Sequence, residues 1–196
     1  MGRLGHLKQT IRSVVSQPSS EYVLVDYACP DDCGKWAGLN FPSVRLVSIA
    51  GKSKFNLSAA RNAGARIAKY DWLFFLDVDV ELADVVTTPI LAKLAQGKFF
   101  VSPKKSAGHG GIILCHAEDF SKIGGFRDDM EGWGWEDKDI KHRLVKNGMK
   151  KIKLPFPQAF RHIEHEDFMR VAFYDEKRTW MSARLNRKKS KKADRL

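Results

Sequence analysis

The chain has 196 residues, 43% of them hydrophobic, and 34 Lys and Arg against 23 Asp and Glu give it a net charge of +11. That is apolar content for one full core and too little length for several domains. The longest apolar stretch, residues 72–76, falls far short of the roughly 20 residues a membrane-spanning helix needs, so an integral membrane protein is not expected. Cys29, Cys33 and Cys115 are an odd number, which argues against a disulfide framework and fits a reducing cytoplasm. Cys29 and Cys33 also lack the companion ligands at a spacing that would make a zinc knuckle.

Read from the front, Leu4, Leu7, Ile11 and Val14/Val15 form the apolar face of an opening helix. Residues 22–27 then read as a strand carrying an acid, Asp26, before a turn-rich stretch whose Asp31 and Asp32 suit solvent. Over residues 55–68, Leu57, Ala60, Gly64, Ile67 and Ala68 recur at helical spacing behind Asn56 or Ser58 as cap. Arg61 falls early in that helix, within reach of a phosphate. Next comes the apolar run 72–76 ending in Asp77-Val78-Asp79. Alternation along an extended strand puts both acids on one side, facing one cation or one phosphate-bearing ligand. The plainer alternative is a pair of acids that only cap a turn.

The second half opens with a strand predicted over 110–115, led by Gly110 and Gly111, and a helix over 120–126 that breaks at Gly124-Gly125. Glu136 and Asp137 start a further helix running through Ile140, Leu144 and Val145 to an Asn147-Gly148 stop. The positive end of that helix favours an ionised carboxylate, as a general base requires, while Asp139 reads as a capping acid. Trp133 can stack on the apolar face of a sugar. After Pro155-Phe156-Pro157, His162 and His165 lie three apart and can ligate one cation together with Asp79; imidazole and carboxylate donors suit manganese better than calcium. His6, His109, His116 and His142 are read as structural.

The stretch 56–64, Asn-x-Ser-x-Ala-Arg-Asn-x-Gly, followed by a strand ending in Asp-x-Asp, resembles family 2 glycosyltransferases of the GT-A fold. Residues 132–137, Gly-Trp-Gly-Trp-Glu-Asp, resemble the C-terminal catalytic segment of the beta-1,4-galactosyltransferases, with Trp135 in place of a second glycine. The resemblance implies an α/β GT-A domain over 1–183, with a nucleotide-binding half to residue 100 and an acceptor half over 101–183. It further implies an inverting, metal-dependent transfer of hexose or N-acetylhexosamine from a UDP-sugar to a glycan or lipid-linked glycan. Asp26 would read uracil, Asp77 and Asp79 would address ribose and diphosphate, and Arg61 and Gly111 would complete the donor site. Asp137 would be the base with Glu136 beside it, and Trp133 and Trp135 would form the acceptor site. Asp79 and His165, with His162 second, would hold Mn2+, or Mg2+ in its stead. Family members place an apolar strand before the first helix, and no such strand is seen here, which leaves a depleted sheet with exposed strand edges.

Residues 184–196 read as a basic, solvated tail, and beside Phe168, Trp180 and Met181 such a tail could attach the chain to an anionic inner leaflet. A nucleic-acid-binding module would use the positive charge but gives no role to the ordered acids. A phosphatase of the haloacid dehalogenase type also ends a strand in Asp-x-Asp, there at the start of the domain. A catalytically silent relative that binds sugar nucleotides completes the alternatives.

Overall fold

A computed structural model describes residues 2–83, 85–103, 108–156 and 158–193. Among these, α1 (Leu4–Val15), β1 (Val23–Tyr27), α2 (Cys33–Asn40), β2 (Arg45–Ile49) and α3 (Leu57–Ile67) form the first part. β3 (Trp72–Phe75), β4 (Val80–Leu82), α4 (Thr87–Leu91), β5 (Lys98–Val101), β6 (Ile113–His116) and α5 (Ala117–Lys122) follow. The chain then continues through α6 (Glu136–Lys146), β7 (Lys150–Lys153), β8 (Phe160–His162), α7 (Asp167–Val171) and α8 (Thr179–Ala193). The opening helix buries Leu7 and Ile11 fully, as its spacing predicts. In α3 the Asn56 side chain accepts from the Ala59 amide, which selects Asn56 over Ser58 as the cap.

The strands form three sheets. β1 and β2 pair in parallel, Val23 opposite Arg45 through Tyr27 opposite Ile49. Four strands run in the order β3-β6-β5-β7, antiparallel except for β5 beside β7. A third pair, β4 and β8, is antiparallel. β3, before residue 100, is hydrogen-bonded to β6, beyond it.

Alternation explains the apolar runs of the central strands. Phe99, Val101, Ile113 and Cys115 point to one core with Phe120, Ile140 and Leu144 of the helices. Phe100, Ile112 and Leu114 point to a second core with Val80, Leu82 and Phe160. A sheet covered on both faces demands apolar residues at every position. The third core joins α1, β1 and α2 through Leu7, Ile11, Leu24 and Ala37.

Several boundaries differ from expectation. β6 starts at Ile113, not Gly110, and α5 at Ala117, where the His116 ring accepts from the Glu118 amide. Residues 184–193 are not a coil: α8 carries them, and Ser182, Asn186 and Ser190, spaced four apart, form its buried stripe. Pro157 and the last three residues of the tail lie outside the described residues. No helix among the described residues is long and apolar enough to cross a membrane.

Candidate functional site

β3 ends at Phe75, two residues before Asp77, and the backbone closes into a turn in which the Val80 amide donates to the Asp77 carbonyl. This corrects the extended reading of Asp77-Val78-Asp79, and the turn gives the two acids different partners. Asp77 Oδ1 accepts from Arg61 Nη2 at 2.6 Å. Asp79 Oδ2 lies 3.0 Å from His165 Nε2 and 3.7 Å from His162 Nε2.

The three side chains Asp79, His162 and His165 present ligand atoms all within 4.8 Å of one another. His165 Nδ1 sits 3.2 Å from the Glu166 carbonyl oxygen, which can only accept, so Nδ1 carries the proton. A neutral ring then turns a bare Nε2 lone pair onto a carboxylate oxygen, acceptor against acceptor. That contact calls for a cation between them or a proton on the ring. Burial pushes the His162 pKa down, against the pull of Asp79 and with His165 adding to the fall, so the metal-binding neutral form is favoured there. The donor set therefore fits a divalent ion that accepts imidazole and carboxylate. Gly108, at φ +84°, leaves room for the His162 ring, which an added Cβ would overlap.

Arg61 is buried and bound on both sides, to Asp77 and, at 3.4 Å, to Glu136. Its charge is thus shared with two carboxylates while it borders the cavity. Burial lowers its pKa, but Asp77 and Glu136 outweigh that and hold the guanidinium charged. Glu136 is pushed up to about 7 by burial, against Arg61 and with Asp137 adding to the rise. Gly111 contributes space: a Cβ there would overlap the Asp77 carboxylate and the Arg61 guanidinium.

Asp137 lies on the other side of the Gly110-Gly111 segment. Its Oδ2 is 3.3 Å from Lys141 Nζ, and a Cβ on Gly110 would come within 2.8 Å of it. Lys141, which also donates to the Gly110 carbonyl, went unnoticed in the sequence although it stands at i+4 from the acid. Both oxygens of Asp26 accept backbone bonds at 2.8 Å, from Cys29 and from Gly34, so this acid also builds the turn into α2. Cys29 and Cys33 meet there with their sulfurs 3.0 Å apart.

One cavity of about 590 Å³ joins these groups, bordered by Asp26, Arg61, Asp77, Asp79, His165 and Trp133. Asp137, Glu136 and Gly111 are not among the residues that border it. Trp135, expected to contact the acceptor, is also not among its bordering residues. It takes φ +79°, and its ring packs between Lys138 and Arg187, 4.8 and 5.1 Å from the centroid. Arg3, missed because it precedes the first motif, borders the cavity and donates from Nη2 to the Met169 carbonyl.

The profile of Glycosyl transferase family 2 matches residues 3–130, and the one described as N-terminal domain of galactosyltransferase matches residues 96–166. Beta-1,4-galactosyltransferase 1 of Bos taurus is 31% identical over 116 residues, 54% of this chain and 29% of that protein. The chain thus spans about a third or less of the length of this relative. Among solved structures, GalNAc-T7 with UDP, GalNAc and Mn2+ superposes with a TM-score of 0.66 at 18% identity, covering 82% of this chain and 41% of that one. Drosophila beta-1,4-galactosyltransferase 7, a mutant with manganese, UDP-Gal and xylobiose, gives 0.55 at 19% identity over 83% of this chain and 79% of that one. The architecture is GT-A, and with a family match across residues 3–130 the chain belongs to glycosyl transferase family 2, with a galactosyltransferase-like segment following.

Proposed function

We propose that the chain moves a hexose or N-acetylhexosamine from a UDP-sugar to a glycan hydroxyl in one inverting displacement, with Mn2+ held by Asp79, His165 and His162. The observation that carries this reading is the convergence of those three ligands beside the Arg61–Asp77 pair at one cavity. When bound, the cation would neutralise charge on the departing nucleoside diphosphate. Manganese is favoured over magnesium because two of the three donors are imidazole nitrogens. Relatives holding UDP-Gal or UDP and GalNAc with manganese support the donor class and make these two sugars the first to try.

The chain's own residues divide the remaining work. Arg3 has a buried Nη1 without a hydrogen-bond partner among the described residues, and it borders the cavity, so it suits a diphosphate oxygen. Asp26, anchored by two amides, keeps lone pairs for a uracil N–H. Trp133 stacks against acceptor sugar. Asp137 takes the proton of the attacking hydroxyl, held in place by Lys141 at 3.3 Å.

Turnover of a nucleotide-sugar panel with and without manganese, repeated on Asp137→Asn, tests the assignment. The substitution should leave UDP binding intact and remove transfer; full turnover would end the role of Asp137. A second reading, a catalytically silent sugar-nucleotide binder, draws on the place of Asp137 outside the residues that border the cavity. It requires nucleotide binding without transfer to any acceptor.

Peripheral attachment to an anionic inner leaflet is our reading of α8, where exposed Trp180, Arg184, Lys188 and Lys191 share one face. Flotation with anionic liposomes should fall when Arg184, Lys188 and Lys191 become Gln. Unchanged flotation would remove the idea.

A further inference from the structure

Cys29 and Cys33 flank the turn that holds Asp26, and neither has a part in the proposed transfer. Their sulfurs stand 3.0 Å apart, about an ångström beyond the length of a disulfide bond. The loop between them bends sharply: Ala28 at φ +47° and Asp32 at φ +53° take left-handed backbone that residues with a side chain rarely adopt. The two amides that donate to Asp26, those of Cys29 and Gly34, lie at the ends of this loop, and both thiols border the cavity. Asp31 is near enough to join the sulfurs around a cation, but it is exposed. Two thiolates on one tetrahedral zinc, with bonds of about 2.3 Å, stand about 3.8 Å apart. The observed contact is too close for a shared metal and suits a bond between the sulfurs.

The surroundings of the two thiols differ as thiol exchange requires. Cys29 is half-buried. Burial raises its pKa, but the Cys33 thiol and the N–H groups of Asp31, Gly2 and Arg3 outweigh this and favour the thiolate. Of these, the Gly2 amide donates to Sγ at 3.2 Å. Cys33, the first residue of α2, is buried and pushed up to about 12 by that burial and by Cys29. Cys115 is fully buried in the core and is likewise pushed up to about 12.

We propose that Cys29 and Cys33 are a reversible dithiol–disulfide couple that exchanges with small disulfides of the glutathione type and sets the stiffness of the Asp26 turn. The Cys29 thiolate attacks one sulfur of the incoming disulfide and breaks its S–S bond. One small thiolate leaves and takes up the proton that Cys29 had released. With the charge on Cys29 gone, Cys33 loses its proton more readily, and the positive end of α2 favours its thiolate. That thiolate attacks Cys29 Sγ and expels the second small thiolate, which takes up the Cys33 proton. Two protein thiols become one disulfide, and two electrons reduce the small disulfide to two thiols. The closed ring ties the ends of the loop together and holds both amide donors on Asp26.

The test needs neither nucleotide nor transfer, so its outcome is independent of the proposed reaction. The full chain is equilibrated with mixtures of reduced and oxidised glutathione, free thiols are alkylated, and peptides are read by mass spectrometry. Oxidised glutathione should produce a Cys29–Cys33 disulfide, reduced glutathione should reverse it, and Cys115 should stay a free thiol. Cys33→Ser should instead retain glutathione on Cys29, and Cys29→Ser should take up about tenfold less. In the oxidised chain, exchange at the Cys29 and Gly34 amides should be about tenfold slower. No disulfide in any mixture, a glutathione adduct that persists in the unaltered chain, or a disulfide that leaves those two amides unchanged overturns the proposal. So does zinc that stays with the purified chain in equal amount and shields both thiols from alkylation.

Discussion

His165 Nε2 stands 3.0 Å from Asp79 Oδ2 although 86 residues separate the two in the chain. The Glu166 carbonyl, 3.2 Å from Nδ1, orients the ring so that Nε2 faces the carboxylate. His162 is farther, at 3.7 Å. Replacing His165 by Ala should weaken Mn2+ binding by about tenfold or more, the scale seen when the supports of a metal site are removed. Replacing His162 should cost less. Titration of free Mn2+ by electron paramagnetic resonance reads both, and equal losses would contradict the ranking.

Arg61 is the hinge of the acidic cluster. Arg61→Ala leaves Asp77 and the buried Glu136 without their cation and should cost about 3–5 kcal/mol. Gly111→Ala forces a Cβ onto the same pair and should cost about 1–3 kcal/mol as overpacking. Urea unfolding of both variants checks the magnitudes, and a loss under 0.5 kcal/mol in Arg61→Ala, about what an exposed substitution gives, would show the cluster to be dispensable.

The raised Glu136 pKa gives stability a pH slope. Its folded value, about 7, lies above the ordinary 4.5, so the folded state holds the extra proton between them. This stabilisation is complete below about pH 4.5 and is lost as pH rises through 7. Glu136→Gln should therefore gain on the wild type as pH goes from 5 to 8. Melting temperatures of the two proteins at both pH values check it; a constant difference would refute the assignment.

The C-terminal helix is part of the domain. Asn186 Nδ2 donates to the Gly134 carbonyl at 2.8 Å, Ser182 Oγ accepts from the Trp133 amide at 2.7 Å, and Ser190 Oγ donates to Asp139 at 2.7 Å. Removing residues 185–196 should lower stability by about 1–3 kcal/mol for each buried polar group left unpaired, Asp139 first among them. A solvated tail would leave the melting temperature unchanged.

Local signals made much of this visible in the sequence. The apolar face of α1, the cap at Asn56, the run into Asp77 and the Glu136 helix start are each set by neighbours within a few residues. Convergence of Asp79 with His162 and His165 was legible only because the motifs named their types. What escaped depended on contacts between distant segments. The pairing of Arg61 with Glu136, 75 residues away, cannot be seen from the helix. The stripe Ser182, Asn186, Ser190 was hidden because it is polar, and a search for apolar periodicity passes over small polar residues that seal a buried surface. The packing of Trp135 was hidden because its cations, Lys138 and Arg187, come from α6 and α8 together.

Titration of UDP into the chain, with and without Mn2+ and repeated on Asp79→Ala, tests the central claim most directly. Wild-type binding should strengthen markedly with manganese, and Asp79→Ala should retain only the weak, metal-independent part. Manganese-enhanced binding that survives in Asp79→Ala would contradict the account.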